Sequence, residues 1–257
     1  MRLCLSWMIL GILVSATPGA TLVAPSSFAT TNGNAQGPSP LRFYGAGGSR
    51  VQQVYDQSLF SSANHPQLIT AIQFRPYNGS PSSLFGDTVN VSNIQINLST
   101  TQHSGEGANP LDATFANNTG LNSTPVYSGP LSLTTGATGP AAGPKDFDYT
   151  INLQTPFLYT PSLGNLLVDF QIPVTATVSG NGAFGFLTFD TVNTANDGIF
   201  SVLDQNNGAA TFGQLSTAGA ITKFVTASVP EPSSLILATT SIVILSISAL
   251  RHRSSKH

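Results

Sequence analysis

The stretch VNVSNIQINL, residues 89–98, decides how this chain folds. Ile94, Ile96 and Leu98 alternate with Gln95 and Asn97. A period of two sends successive side chains to opposite faces of an extended strand, one apolar and one polar. The same pattern recurs on either side. Residues 67–75 set Leu68, Ile72 and Phe74 among polar neighbours, and Phe147, Tyr149, Ile151 and Leu153 alternate with Asp148, Thr150 and Asn152. NLLVDFQI (165–172) is more continuously apolar, as a central strand would be, and 184–189, 198–203 and 220–227 add further short runs. Asn78-Gly79, Gly180-Asn181-Gly182 and Asn207-Gly208 supply turn chemistry between them. No run of about ten residues carries a helical stripe. The expectation is an all-β domain over residues 49–227 with roughly eight to ten short strands, a β-sandwich of jelly-roll-like type.

Composition agrees. Charged residues make up 8% of the 257, against roughly 25% in an average soluble protein. Gly, Ser, Thr, Asn and Pro take their place, which suits strands and loops. Between Pro25 and Ser228 five basic residues (Arg42, Arg50, Arg75, Lys145, Lys223) face ten acidic ones. That balance leaves no basic patch for nucleic acid. Cys4 is the only cysteine and Trp7 the only tryptophan, and both lie near the N-terminus. The domain therefore has no disulfide, thiolate nucleophile or cysteine metal site, and no cofactor is expected.

The two ends read differently from the middle. Arg2, an apolar run from Leu3 to Val14, and small residues at Ser15-Ala16 and Gly19-Ala20 form a secretory leader within residues 1–24, with cleavage after Ala16, Ala20 or Ala24. Residues 25–48, rich in turn formers, read as a linker in which Leu41, Phe43 and Tyr44 could supply a first short strand. At the other end Val229-Pro230-Glu231-Pro232 precedes an uncharged span, Leu235 to Leu250, and then Arg251, Arg253 and Lys256. Proline breaks both helix and sheet. The span makes about 24 Å of helix against a hydrocarbon core of about 30 Å, a gap that Ser233, Ser234 and a snorkelling Arg251 can close. The basic end would stay cytoplasmic and the upstream domain outside.

This tail resembles the PEP-CTERM sorting signal of Gram-negative bacteria, in the order motif, helix, arginine-containing end; it departs from that pattern in having Arg-His-Arg where an unbroken arginine run is usual. The resemblance covers about a tenth of the chain. It implies that Val229, Pro230, Glu231 and Pro232 are the recognition motif, with 235–250 as transmembrane anchor and Arg251 and Arg253 as basic stop. It also implies that an exosortase, a membrane-embedded cysteine protease-transpeptidase, is the partner that reads them. NIQINLSTT (93–101), ATFANNTG (113–120), YSGPL (127–131) and residues 143–170 are similar, more loosely, to PEP-CTERM-tailed β-sandwich proteins with no assigned activity.

Catalytic constellations are sparse. A Ser/His/Asp arrangement needs a histidine, and the domain offers His65 and His103, both in polar loop-like stretches with no G-x-S-x-G elbow. Glu106, Asp112, Asp146, Asp148, Asp169 and Asp190 are the candidates for a carboxylate pair, with Asp146 and Asp148 expected on one face of one strand. Calcium would find oxygen ligands at Asp190, Asn193, Asn196 and Asp197, or in the turn Asp204–Gly208, though neither fits the EF-hand pattern. Sugar platforms would have to come from Tyr44, Tyr55, Tyr77, Tyr127, Tyr149 or Tyr159. The sequence thus points to an exported, non-enzymatic surface or extracellular-matrix protein, first anchored in the inner membrane, with no metal site assigned. The alternative is a module that binds surface polysaccharide.

Overall fold

The structure is a computed structural model that describes residues 20–36, 47–61, 65–78, 88–180, 189–227 and 229. It is built of strands: β1 (Ala20–Ala24), β2 (Ala35–Gln36), β3 (Ser49–Tyr55), β4 (Gln67–Phe74), β5 (Thr88–Thr101), β6 (Thr124–Thr134), β7 (Tyr149–Tyr159), β8 (Asn165–Ile172), β9 (Val178–Gly180), β10 (Asp190–Asn193), β11 (Ile199–Asp204), β12 (Gln214–Ser216), β13 (Ala218–Ala220) and β14 (Thr222–Ala227). One helical turn, α1 (Phe115–Asn118), interrupts them. The all-β expectation holds. Among the described residues no helix is long and apolar enough to cross a membrane. The span 235–250 and nearly all of the leader lie outside the described residues.

A larger sheet runs β12-β11-β3-β8-β5-β6, with β9 also on β5; a smaller one runs β1-β14-β4-β7; and β13-β10-β2 forms a third. The two main sheets pack face to face in a sandwich-like arrangement. Ile94, Ile96 and Leu98 of β5 and Leu166, Val168 and Phe170 of β8 meet Ile72 and Phe74 of β4, Ile151 of β7 and Phe224 of β14 in one core. Phe74 lies 6.1 Å from Phe170 across the sheets and stacks on Phe189 at 4.6 Å, while Tyr55 meets Phe224 edge-on at 5.0 Å. Such ring pairs add about 0.5–1.5 kcal/mol beyond their buried area.

Bulges correct the simple alternation. In β5 the register shifts between Val91 and Ile94, so that Val89 and Val91 at odd positions and Ile94, Ile96 and Leu98 at even ones all face the core. In β4 the shift falls between Ile69 and Ala71. Ile69 is therefore buried and Leu68 is not, the reverse of the face expected for Leu68. A bulge inserts one residue and reverses parity beyond it. Proline sits only where a missing donor is tolerated: Pro125 and Pro130 in β6 and Pro156 in β7 are on edge strands.

The N-terminal region is part of the fold. Ala20–Ala24, inside the leader window, pairs antiparallel with β14 from Ala20↔Thr226 to Ala24↔Thr222. Within 25–48, a short 3-10 turn (Ser26–Phe28) and β2 are ordered, and β2 pairs with β10. Arg75 and Asp190, at 1% and 0% side-chain exposure, form an ion pair of 2.8 Å, and Arg75 Nη2 donates to the Phe28 and Thr31 carbonyls.

Candidate functional site

The outer face of the larger sheet is covered as well. Val54, Leu167 and Val202 point away from the sandwich core and pack with Leu111, Phe115 and Ala210. The cover consists of the excursion from 102 to 123, which contains α1, and the loop from 205 to 213. Polar side chains fasten it down. Asp169 of β8 accepts from Arg50 Nη2 (2.8 Å) and Gln52 Nε2 (3.0 Å) of β3. The Gln52 amide also reaches the Phe115 carbonyl, and Asn118 Nδ2 donates to Gln52 Oε1 at 3.0 Å. The Arg50 guanidinium lies 4.6 Å from the centre of the Phe115 ring. Asn118 then exchanges two hydrogen bonds with the Asp112 backbone. The Asp112 carboxylate accepts from the Asn117 side chain and the Thr114 N–H, which hold its pKa below the usual range. Among the described residues, no buried side-chain nitrogen or oxygen of this cover lacks a partner, as burial demands.

On this platform stands Phe212. The residue is 69% exposed, but its backbone is pinned on both sides. Phe115 N–H donates to the Thr211 carbonyl and Gly213 N–H to the Ala113 carbonyl, with Thr114 and Phe212 forming a bridge. Gly213 is needed there, since a Cβ would come within 2.7 Å of the Leu203 carbonyl oxygen and 2.8 Å of the Phe115 ring. Phe212 borders a cleft of about 540 Å³ whose other walls are Asp204, Gln205, Asn206 and Gln214 with Leu203 and Gly213. The Asp204 end of the cleft is also fixed, because Asp204 Oδ1 accepts from the Asn206 and Asn207 N–H groups. A second concavity of about 440 Å³ is lined by Gln102, His103, Asn117 and Asn122, with the exposed Leu121 and Leu163 beside them. Its lining holds no Phe, Tyr or Trp.

The residues singled out from the sequence are placed as follows. His65 is exposed, and His103 Nδ1 is 2.7 Å from the Pro110 carbonyl. Asp146 and Asp148 precede β7 and do not share a strand face. Asp148 Oδ2 instead accepts from Thr135 Oγ1 and the Gly136 N–H, which ties down a turn. Asp169 is held by Arg50 and Asp190 by Arg75. Burial pushes the Asp190 carboxyl up, opposed by Arg75. Asp190 is therefore not a partner of Asp197 in an oxygen cage, and one oxygen of Asp204, Oδ1, accepts within its own turn. Tyr55, Tyr149 and Tyr159 are buried, and the Tyr127 hydroxyl donates to the Pro130 carbonyl, while Tyr44 lies outside the described residues. Among the described aromatics Phe212 is the exposed one beside a cleft. The sequence offers no signal for it in ATFGQL.

The structure does bring together Asp56, Glu106 and Asp197, from the end of β3, the 102–123 excursion and the β10–β11 loop. Asp56 Oδ1 accepts from the Gly105 N–H (2.9 Å), Glu106 from the Asn196 N–H, and Asp197 Oδ1 from the Ile199 N–H (2.8 Å). Burial, then the neighbouring Glu106 and Asp56 charges, raise the Asp197 pKa to about 6 against its hydrogen bonds, and burial likewise raises that of Asp56. Each carboxylate fastens a loop. Among the described residues no group of three or more His, Cys, Asp or Glu side chains is arranged to hold a metal ion. In the sorting motif Val229 is described, while Pro230, Glu231, Pro232, Arg251 and Arg253 lie outside the described residues. No family model matches the chain, and comparison with curated proteins and with solved structures gave no match.

Proposed function

We propose that this chain is an exported, non-enzymatic protein of the cell surface or extracellular matrix, sorted through a PEP-CTERM-type tail. One observation carries the reading: Val229-Pro230-Glu231-Pro232, the uncharged span Leu235–Leu250 and Arg251/Arg253 follow one another in that order. The proline-rich motif keeps an extended, accessible segment outside the bilayer, the span halts transfer, and the basic end stays inside. The domain ahead of it, read more finely as a jelly-roll-like sandwich, is the cargo. The tail holds it in the inner membrane until an exosortase-type enzyme processes it. Replacing Glu231, or deleting Val229 to Pro232, in a host with an exosortase is expected to leave the protein membrane-bound and unprocessed on fractionation and immunoblotting. Normal processing of both variants would remove the motif assignment.

A second reading, a polysaccharide-binding module at the surface, is favoured by one feature of the cargo: an exposed aromatic residue on pinned backbone beside an amide-lined cleft.

A further inference from the structure

We propose that the cleft bordered by Phe212 is a binding site for a neutral polysaccharide chain, with Phe212 as the stacking platform and Asp204, Asn206 and Gln214 as the hydroxyl-recognising rim. The proposal rests on the second reading above and names its site and ligand class. Its first support is the ring itself. A single exposed apolar side chain needs no explanation. Phe212, however, is carried on backbone held by hydrogen bonds from both flanking residues and by the close packing of Gly213 against Leu203 and Phe115. The backbone beneath the ring is thus set before any ligand arrives, so little backbone entropy is lost on binding. The flat apolar face of a ring suits the C–H face of a pyranose, which buries area without requiring a hydrogen bond.

The second support is the rim. Asn206 and Gln214 each carry an amide that both donates and accepts, matching hydroxyl groups that do the same, and Asp204 adds a carboxylate acceptor. The cleft volume of about 540 Å³ is within the ordinary range of about 300–1,000 Å³ for small-ligand sites. The third support is charge. The lining holds one carboxylate and no Lys, Arg or His. A uronic acid or sulfated sugar would approach Asp204 with no cation in the lining to offset the repulsion. The preferred ligand is therefore uncharged.

Affinity electrophoresis tests this with the full-length chain in neutral detergent, run through gels containing hydroxyethylcellulose, galactomannan, dextran or alginate. The wild type is expected to be retarded by at least one neutral polymer and not by alginate. Phe212→Ala should weaken that retardation about tenfold, the scale of one lost stacking contact with its buried area. Gln214→Ala should weaken it less, and Phe212→Trp should preserve it. Phe212 and Gln214 are exposed, so thermal melts of the three variants should match the wild type. Retardation by a neutral polymer that survives both alanine variants would overturn the site while leaving the polysaccharide reading standing. No retardation of the wild type by any neutral polymer would overturn both. Stronger retention by alginate would overturn the neutral class.

Discussion

Arg75 and Asp190 face each other from residues 115 positions apart, and both are removed from water. Their pairing also captures the carbonyls of Phe28 and Thr31 and the N–H of Gly33, so a single ion pair ties the N-terminal segment to β4 and β10. Deleting one partner leaves the other as an uncompensated buried charge, which costs about 3–5 kcal/mol. Arg75→Met is accordingly expected to lower the unfolding free energy from urea titration by an amount of that order, seen as a lower midpoint at unchanged slope. A midpoint within error of the wild type would show that the pair does not hold the segment. Asp197 works in the opposite sense. Its folded-state pKa of about 6 lies above the roughly 3.9 of an unfolded aspartate, so the folded state holds the proton more tightly. The stability it contributes therefore grows as pH falls through about 6, is complete near 4, and is lost as pH rises. The side chain is partly exposed, so solvent screening reduces the effect to roughly 1 kcal/mol. Asp197→Asn is expected to be more stable than wild type at pH 7.5 by about that much, with a shallower rise in stability between pH 6 and 4. Equal stability at pH 7.5 and an unchanged slope would contradict the assignment.

Among the elements, β1 bears on where the proposed leader is cut. It pairs with β14 from Thr222 to Thr226, and its last residue, Ala24, is fully buried. Cleavage of a leader after Ala24 would remove this strand and bare an edge that carries unpaired backbone groups. Cleavage after Ala16 keeps all of β1, and cleavage after Ala20 keeps most of it. Intact-mass analysis of the exported protein is expected to place the mature N-terminus at residue 17 or 21; a start at residue 25 would mean that β1 is absent from the mature fold. The elements also show why some of the fold was legible and some not. β5 and β8 could be read because one face of each is lined by Ile, Leu, Val and Phe. β3 could not: Gln52 and Gln53 are both buried, one in the outer polar network and one against the Ala220 backbone, so no polar face remains to mark the alternation. β6 was hidden by Pro125, Gly129 and Pro130, which read as turns and are tolerated because the strand is an edge. The residues 190–193 looked like an oxygen-rich loop because the partner that neutralises Asp190 lies far back in the sequence. Phe212 was unreadable for the same reason, since its exposure follows from a bridge to Thr114.

At the scale of the molecule, the two ends of the sandwich differ in what they present. Gln53 Nε2 donates to the Ala220 carbonyl, Tyr55 is hydrogen-bonded to Thr222, and Tyr55 and Phe60 both pack on Phe224. β14 therefore runs alongside β3 in the same direction, and Ala227 lies beyond the Tyr55 end. β1 starts there too, with Ala20 opposite Thr226. Asp204, by contrast, pairs with Arg50 at the opposite end of β3, and the cleft lies at that end. If residues 235–250 anchor the protein, the seven residues 228–234 can lift Ala227 no more than about 25 Å from the bilayer. The Ala227 end would then face the membrane and the cleft would point outward, towards whatever polymer surrounds the cell. Cys4, the only cysteine in the sequence, falls in the proposed leader, so single cysteines in the domain can report this directly. Leu158 is exposed and pairs with Leu68, which in turn pairs with Ala227, so Leu158→Cys marks the near end; Gln214→Cys marks the far one. With the tail intact in inner-membrane vesicles of outward-facing orientation, a maleimide on a bulky polyethylene glycol is expected to label position 214 several-fold faster than position 158. Removing residues 228–257 should bring the two rates together. Equal rates with the tail in place would mean that the sandwich is not held in this orientation, and the cleft would lose its claim to face outward.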